Sequence, residues 1–168
     1  YCIDEVSDHA ISMILSLNRL LQRDSDLVKN GKWNDVKKDK RVYRLSDSTL
    51  GLLGFGRIGK RISEKAMSFG MNVIAYDPFL KQSDVDGVKL LDLNKVLAES
   101  DFISLHLPLN DQTYHIIDDK QLRSMKDDAI LINVSRGGLI NENSLINYLS
   151  SGKLRGVGLD VIESTIDK

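Results

Sequence analysis

Apolar side chains recur near the start of the chain at Val6, Ala10, Met13, Ile14, Leu17 and Leu21, the spacing of one helical face. This predicts a single long helix over residues 4–29, capped by Asp4 or Ser7 and stopped at Asn30-Gly31. Lys32 to Asp47 is polar, with Trp33 and Tyr43 embedded. It reads either as a surface loop with a locally buried tryptophan or as an arm laid on a partner subunit. From Ser48 onward short apolar runs alternate with helical periodicity. Strands are predicted at Thr49–Gly54, Met71–Tyr76, Asp101–Leu107, Ala129–Val134 and Arg155–Val161, with a further short one at Val88-Lys89-Leu90. Helices are predicted at Arg57–Phe69, Leu91–Glu99, Asp118–Met125 and Asn141–Ser150. Strict alternation of strand and helix implies an α/β fold: a doubly wound parallel sheet covered on both faces, preceded by the long helix and arm. The expected division is a helix and arm over residues 1–47 and an α/β core over 48–168, together one domain.

Composition narrows the function classes. The 168 residues are 42% hydrophobic and 28% charged, the make-up of an ordinary globular domain. Net charge is −1, from 23 basic and 24 acidic side chains, which argues against a direct nucleic-acid partner. No apolar run approaches the ~20 residues of a membrane span, so no membrane association is expected. A lone cysteine, Cys2, excludes an internal disulfide and a cysteine-based zinc site, and fits a reducing, cytoplasmic compartment. No metal is expected. The chain opens Tyr-Cys-Ile rather than at Met, as expected of a piece of a longer protein.

The sharpest local signal is Gly54-Phe55-Gly56-Arg57-Ile58-Gly59, between a predicted strand and a predicted helix. In that context Gly54 permits a tight turn, Gly56 lets a pyrophosphate approach the backbone, and Gly59 lets the helix close onto the strand. The helix start at Ile58 offers unpaired N–H groups to phosphates. Arg57 reaches a phosphate or is a solvated helix arginine. Asp77 ends the next strand, 18 residues after Gly59, where a carboxylate accepts from adenosine ribose hydroxyls. A carboxylate there repels a 2′-phosphate, favouring NAD over NADP; the alternative is a cap for the Asp77-Pro78 turn. In the far half, two further strands end in charge, at Arg136 and at Asp160 and Glu163. At the carboxyl edge of a sheet an arginine binds a carboxylate with two prongs, and a glutamate holds a histidine. Position alone also allows each to be a surface charge.

Together these blocks resemble the NAD-binding domain of the D-isomer-specific 2-hydroxyacid dehydrogenases. The resemblance rests on Val6–Ala10, Gly31-Lys32-Trp33, Leu50–Gly59, Ser104–Leu109, Asn133–Ile140 and Gly158–Glu163, in the family's order. The Tyr76–Leu80 segment and the Tyr1–Asp8 opening resemble the branch that includes the C-terminal-binding-protein corepressors and phosphoglycerate dehydrogenase-like enzymes. The resemblance implies a Rossmann-type fold and reversible hydride transfer between NAD(H) and a small 2-hydroxy or 2-oxo acid. It implies that Arg136 grips the oxo acid, that Glu163 pairs with a catalytic histidine, and that Asp160 lies near the nicotinamide carboxamide. It places Arg57 and Ile58 over the pyrophosphate, and Leu107, Pro108, Thr113, Val134 and Ser135 along the dinucleotide. It implies a homodimer formed through the N-terminal helix and arm. The catalytic histidine is expected beyond Lys168. His9, His106 and His115 do not match it and read as structural, which leaves Glu163 an ordinary exposed carboxylate. The family's proline-rich continuation is replaced by Ser164-Thr165-Ile166-Asp167. Two other readings share the cofactor: an NAD(H)-sensing scaffold of the corepressor kind, and a dehydrogenase of formate or phosphite.

Overall fold

The apolar runs become β1 (Thr49–Leu53), β2 (Asn72–Tyr76), β3 (Lys89–Leu90), β4 (Phe102–Leu105), β5 (Ala129–Asn133) and β6 (Leu154–Leu159). All pairings are parallel, in the order β3-β2-β1-β4-β5-β6. The computed structural model describes residues 2–38 and 42–163. The helices are α1 (Ile3–Asn18), α2 (Leu21–Lys29), α3 (Arg57–Ser68), α4 (Leu93–Glu99), α5 (Asp119–Ser124) and α6 (Glu142–Ser150). The predicted doubly wound sheet is therefore present, its strands and crossover helices bounded within about two residues of the sequence expectation.

Side-chain alternation along each strand splits the core in two. Leu50, Leu52, Phe102, Ile130 and Ile132 pack with Ala10, Ile11 and Ile14 of α1 and Ile62 and Ala66 of α3. Leu53, Ile103, Leu105 and Leu131 face the other way, onto Val96 and Leu97 of α4, Leu122 of α5 and Leu145 of α6. A sheet covered on both faces has apolar residues on both, which explains the nearly unbroken apolar runs.

The N-terminal segment departs from expectation. The single predicted helix is two, broken at Arg19-Leu20, where Leu20 takes a left-handed φ of 56°. The cause is tertiary. Asn18 is buried, donates to the Tyr43 carbonyl and accepts from the Tyr43 N–H, each at 3.0 Å. It also accepts from Arg155, whose guanidinium lies 4.2 Å over the Tyr43 ring. Neither Asp4 nor Ser7 caps α1, which begins at Ile3 after Cys2 with no side-chain cap. The Asp4 carboxylate instead takes Arg61 of α3 at 2.7 Å, and Ser7 accepts from Lys65 at 2.6 Å. The apolar face of α1 is covered by the sheet, while α2 and the following turn leave Leu21, Val28 and Trp33 outside. Trp33 is 60% exposed, not locally buried, and opens a 3-10 turn over Trp33–Lys38. The middle of the predicted arm, residues 39–41, and the Ser164–Asp167 stretch lie outside the described residues. Among the described residues no helix is long and apolar enough to cross a membrane.

Candidate dinucleotide and substrate site

Every strand that carries a predicted site residue delivers it at the same, carboxyl edge. β1 runs into Gly54, β2 into Asp77, β4 into His106-Leu107-Pro108, β5 into Val134-Ser135-Arg136, and β6 into Asp160. The order reverses between β1 and β4, the crevice where open α/β sheets take ligands. β4 ends at Leu105, so His106 and Leu107 belong to the crevice rather than to a strand.

Each glycine of the turn meets a different constraint. Gly54 has φ of 97°, and a Cβ on it would lie 2.5 Å from the His106 carbonyl oxygen. A Cβ on Gly59 would lie 2.4 Å from the Gly54 carbonyl oxygen, so the helix closes onto the strand only without one. Gly56 has no atom within 4 Å of such a Cβ; the space beside it is open. The hydrogen bonding of α3 begins with Lys60 N–H to Gly56 O at 2.9 Å, and the amides before it are those a helix start leaves without intrahelical acceptors. With Ile3 and His106, the stretch Gly56-Arg57-Ile58-Gly59 lines a cleft of about 230 Å³. Arg57 is exposed there.

Asp77 ties the second strand to this turn. Its Oδ2 accepts from the Phe55 N–H at 2.9 Å and its Oδ1 from the Phe79 N–H at 3.0 Å. This is the turn-capping reading of Asp77: its carboxylate fixes the turn after β2, and each oxygen keeps a lone pair for a further donor. Tyr76, Pro78, Leu107, Pro108 and Thr113 line an adjoining, mostly apolar hollow of about 80 Å³. Thr113 is buried and staples the loop, donating to the Pro108 carbonyl at 2.6 Å and accepting from Asn110 N–H at 2.9 Å.

His106 is enclosed. Its Nε2 meets Ser104 Oγ at 2.8 Å, and its buried Nδ1 has no partner among the described residues. Burial pulls its pKa down to about 3, so the ring is neutral at ordinary pH.

Beyond β5 and β6 the second cluster surrounds a cleft of about 490 Å³, lined by Ser135, Arg136, Gly137 and Leu159 to Ile162. Its rim is built by backbone anchoring. Asn133 donates to the Arg136 carbonyl at 2.8 Å and accepts from Ser135 N–H at 3.0 Å, while Ser135 Oγ donates to the Leu105 carbonyl at 2.8 Å. Arg136 itself is exposed, its guanidinium donating to the Ser135 carbonyl at 2.7 Å. Val134 is half-buried against the α1 side of the core. Asp160 pairs with His9 of α1 at 3.3 Å.

Glu163 departs from expectation. It is neither exposed nor partnerless: His115 Nε2 lies 2.9 Å from its Oε2, and the pair is 24% and 30% exposed. The His115 hydrogen bond holds the Glu163 carboxyl below the usual carboxylate range, with the Tyr114 hydroxyl adding to the effect. His9 and His115 are therefore site-edge residues that the sequence did not single out. His115 and Glu163 stand 48 positions apart, and only the fold joins them.

Another opening, of about 480 Å³, at the opposite edge is lined by Thr49, Asn72, Lys89 and neighbours and faces the amino ends of the strands. It lies away from the glycine turn.

Fold and crevice define a dinucleotide-binding domain of the doubly wound α/β class. The profile of the family "D-isomer specific 2-hydroxyacid dehydrogenase, NAD binding domain" matches residues 11–166, and the chain belongs to that family. It is 42% identical over 158 residues to a hydroxypyruvate reductase of Thermotoga maritima, covering 94% of this chain and 51% of that protein. It is 40% identical to a glyoxylate reductase of Thermococcus litoralis over 95% of this chain and 50% of that one. Among solved structures it resembles a D-lactate dehydrogenase of Aquifex aeolicus complexed with NAD and lactic acid. The TM-score is 0.89 at 37% identity, covering 96% of this chain and 48% of that one. The chain spans about half the length of these relatives. The domain is thus an NAD-binding one.

Proposed function

We propose that this domain seats NAD(H) along the carboxyl edge of its sheet, in an enzyme that interconverts a small 2-hydroxy acid and its 2-oxo acid. The carrying observation is the convergence of the open space at Gly56, the Asp77 carboxylate and the Arg136 cleft on one edge. Gly54, Gly56, Ile58 and Gly59 receive the diphosphate, with Arg57 beside it, and Asp77 accepts from the ribose hydroxyls and disfavours a 2′-phosphate. Leu107, Pro108 and Thr113 wall the adenosine end; Val134, Ser135 and Asp160 wall the nicotinamide end. Bound NADH supplies the hydride. Arg136 binds the substrate carboxylate and polarises the carbonyl. A histidine contributed from outside these residues donates the proton.

The names of the relatives, reductases of hydroxypyruvate and glyoxylate and a lactate dehydrogenase, support a short 2-oxo acid as substrate. A homodimer belongs to the same proposal, supported by the exposed Leu21, Val28 and Trp33, as does a reducing, cytoplasmic setting, supported by the lone Cys2. The test is an NADH-consumption assay of the full-length protein over a panel of 2-oxo acids, with formate and phosphite assayed in the oxidative direction. Turnover of a 2-oxo acid that Arg136→Ala reduces at least ~100-fold supports the reading; turnover confined to formate or phosphite, or none, overturns it.

A further inference from the structure

α1 lies directly on the last strand. A Cβ on Gly158 would lie 3.1 Å from Met13 Sδ and 3.3 Å from Leu17 Cδ1, so the helix comes this close to β6 because that position carries no side chain. One turn before Met13, His9 stands over the carboxyl end of β6. Its Nε2 lies 3.3 Å from Asp160 Oδ1, and both side chains are half-exposed. Asp160 is fixed through its backbone, whose N–H donates to the Asn133 carbonyl at 3.0 Å, and with Arg136 it lines the cleft of about 490 Å³.

The sheet order reverses between β1 and β4, and each half of such a sheet takes one nucleotide. Asp77 stands on the β1–β2–β3 half, so the cofactor placement proposed above brings the nicotinamide to the β4–β5–β6 half, which carries Asp160. NAD has a cationic nicotinamide ring and NADH a neutral one, while the adenosine and the diphosphate are the same in both. A carboxylate beside the ring favours the oxidised form, and a cation paired to that carboxylate cancels the preference. An imidazole can supply that cation reversibly.

We propose that His9 is a specificity-determining residue for the redox state of the cofactor: protonated, it neutralises Asp160, so the preference for NAD over NADH falls as pH falls and rises as pH rises. This rests on the placement of the dinucleotide given above. The other charged groups around His9 come from three elements. On α1 they are Glu5 and Asp8. On α3 they are Arg61 and Lys65, turned to Asp4 at 2.7 Å and to Asp8 at 2.6 Å. From the cleft comes Arg136. Arg155, near the start of β6, is turned to Asn18 at the other end of α1. Of these side-chain types only the imidazole ordinarily changes charge between about pH 5 and 8. Of the other two histidines, His106 stays neutral through that range, its pKa lowered to about 3 by burial, and His115 is tied to Glu163.

The test is calorimetric titration of the full-length protein with NAD and with NADH at low ionic strength, repeated from about pH 5 to 8. The ratio of the two dissociation constants cancels every group that acts on both cofactors alike. The preference for NAD is expected to rise roughly 2- to 5-fold with pH, the size of a charge interaction between half-exposed groups, and to shrink in about 1 M salt. His9→Gln keeps an N–H for Asp160 but does not titrate, and is expected to hold the ratio flat; His115→Gln is expected to keep the rise. A merely structural role for His9 would change both dissociation constants alike and leave the ratio where it was. A flat ratio in the wild type, a rise that survives in His9→Gln, or one lost in His115→Gln overturns the inference and leaves the placement of the dinucleotide standing. Binding of neither dinucleotide overturns the placement, and this inference with it.

Discussion

Gly56→Ala and Gly59→Ala separate binding from folding within four residues of chain. At Gly56 a methyl group meets no atom within 4 Å, and φ of −78° suits alanine. Alanine is a poorer helix N-cap than glycine, costing a few tenths of a kcal/mol or more, while its restricted unfolded chain returns about 0.4–1 kcal/mol. The net change in folding stability is within about 1 kcal/mol. The same methyl group fills the space at the phosphate cleft. Losing one backbone-to-phosphate hydrogen bond, worth ~1.5–3 kcal/mol for a charged acceptor, weakens NAD binding roughly 10- to 100-fold. At Gly59 the methyl group would lie 2.4 Å from the Gly54 carbonyl oxygen, a backbone atom held by the turn. Overpacking of this kind costs about 1–3 kcal/mol, at roughly 2–4 °C of melting temperature per kcal/mol. Thermal melts with and without NAD, paired with calorimetric titration, read both quantities. Ligand at 100 times the wild-type Kd adds about 2.7 kcal/mol to the wild type, an increment that Gly56→Ala cuts to about 0.4–1.4 kcal/mol at the same concentration. Gly56→Ala that binds NAD as tightly as the wild type refutes the reasoning, as does Gly56→Ala that is as unstable as Gly59→Ala.

Wild type is expected to bind NAD more tightly than NADP, and Asp77→Ala to narrow the gap while leaving the Phe55 N–H without its acceptor, at about 1–3 kcal/mol of stability. Parallel titrations with both dinucleotides check this, and equal wild-type affinities contradict it. His106 is held neutral, its pKa lowered from 6.5 to about 3, so as pH falls the unfolded chain takes up the proton before the fold does. This erodes stability with falling pH across that window at up to about 1.4 kcal/mol per pH unit, and His106→Asn flattens the slope in urea midpoints measured along it. Trp33→Lys, at an exposed position, is expected to weaken self-association in sedimentation velocity while leaving the melting temperature of the monomer within about 2 °C. A wild-type chain that stays monomeric at high concentration removes that expectation.

Much of the fold was legible because it is written in local periodicity. Strands buried on both faces read as apolar runs, crossover helices read as apolar stripes, and the glycine spacing carries its own stereochemistry. Asp77 was legible because its distance from the turn is fixed by one helix and one strand. What the sequence hid depends on contacts between distant segments. The break at Leu20 is imposed by Asn18 reaching Tyr43 and Arg155, 25 and 137 positions away. No local signal marks it, since the apolar spacing runs on through Leu21. His9 beside Asp160 and His115 beside Glu163 are pairs of the same kind. Each lone histidine, read along the chain, resembled a structural one. Trp33 looked like a residue needing cover, and its exposure follows from α2 turning away after the break.

The most direct measurement of the central claim, that NAD lies on the glycine turn at the carboxyl edge of the sheet, is an amide NMR titration of this chain with NAD. Saturable one-to-one shifts are expected at Phe55 to Gly59, at Phe79 beside Asp77, and at Ser135 and Arg136, with the amino edge at Thr49, Asn72 and Lys89 silent. Shifts confined to the amino edge, or none at saturating NAD, would contradict it.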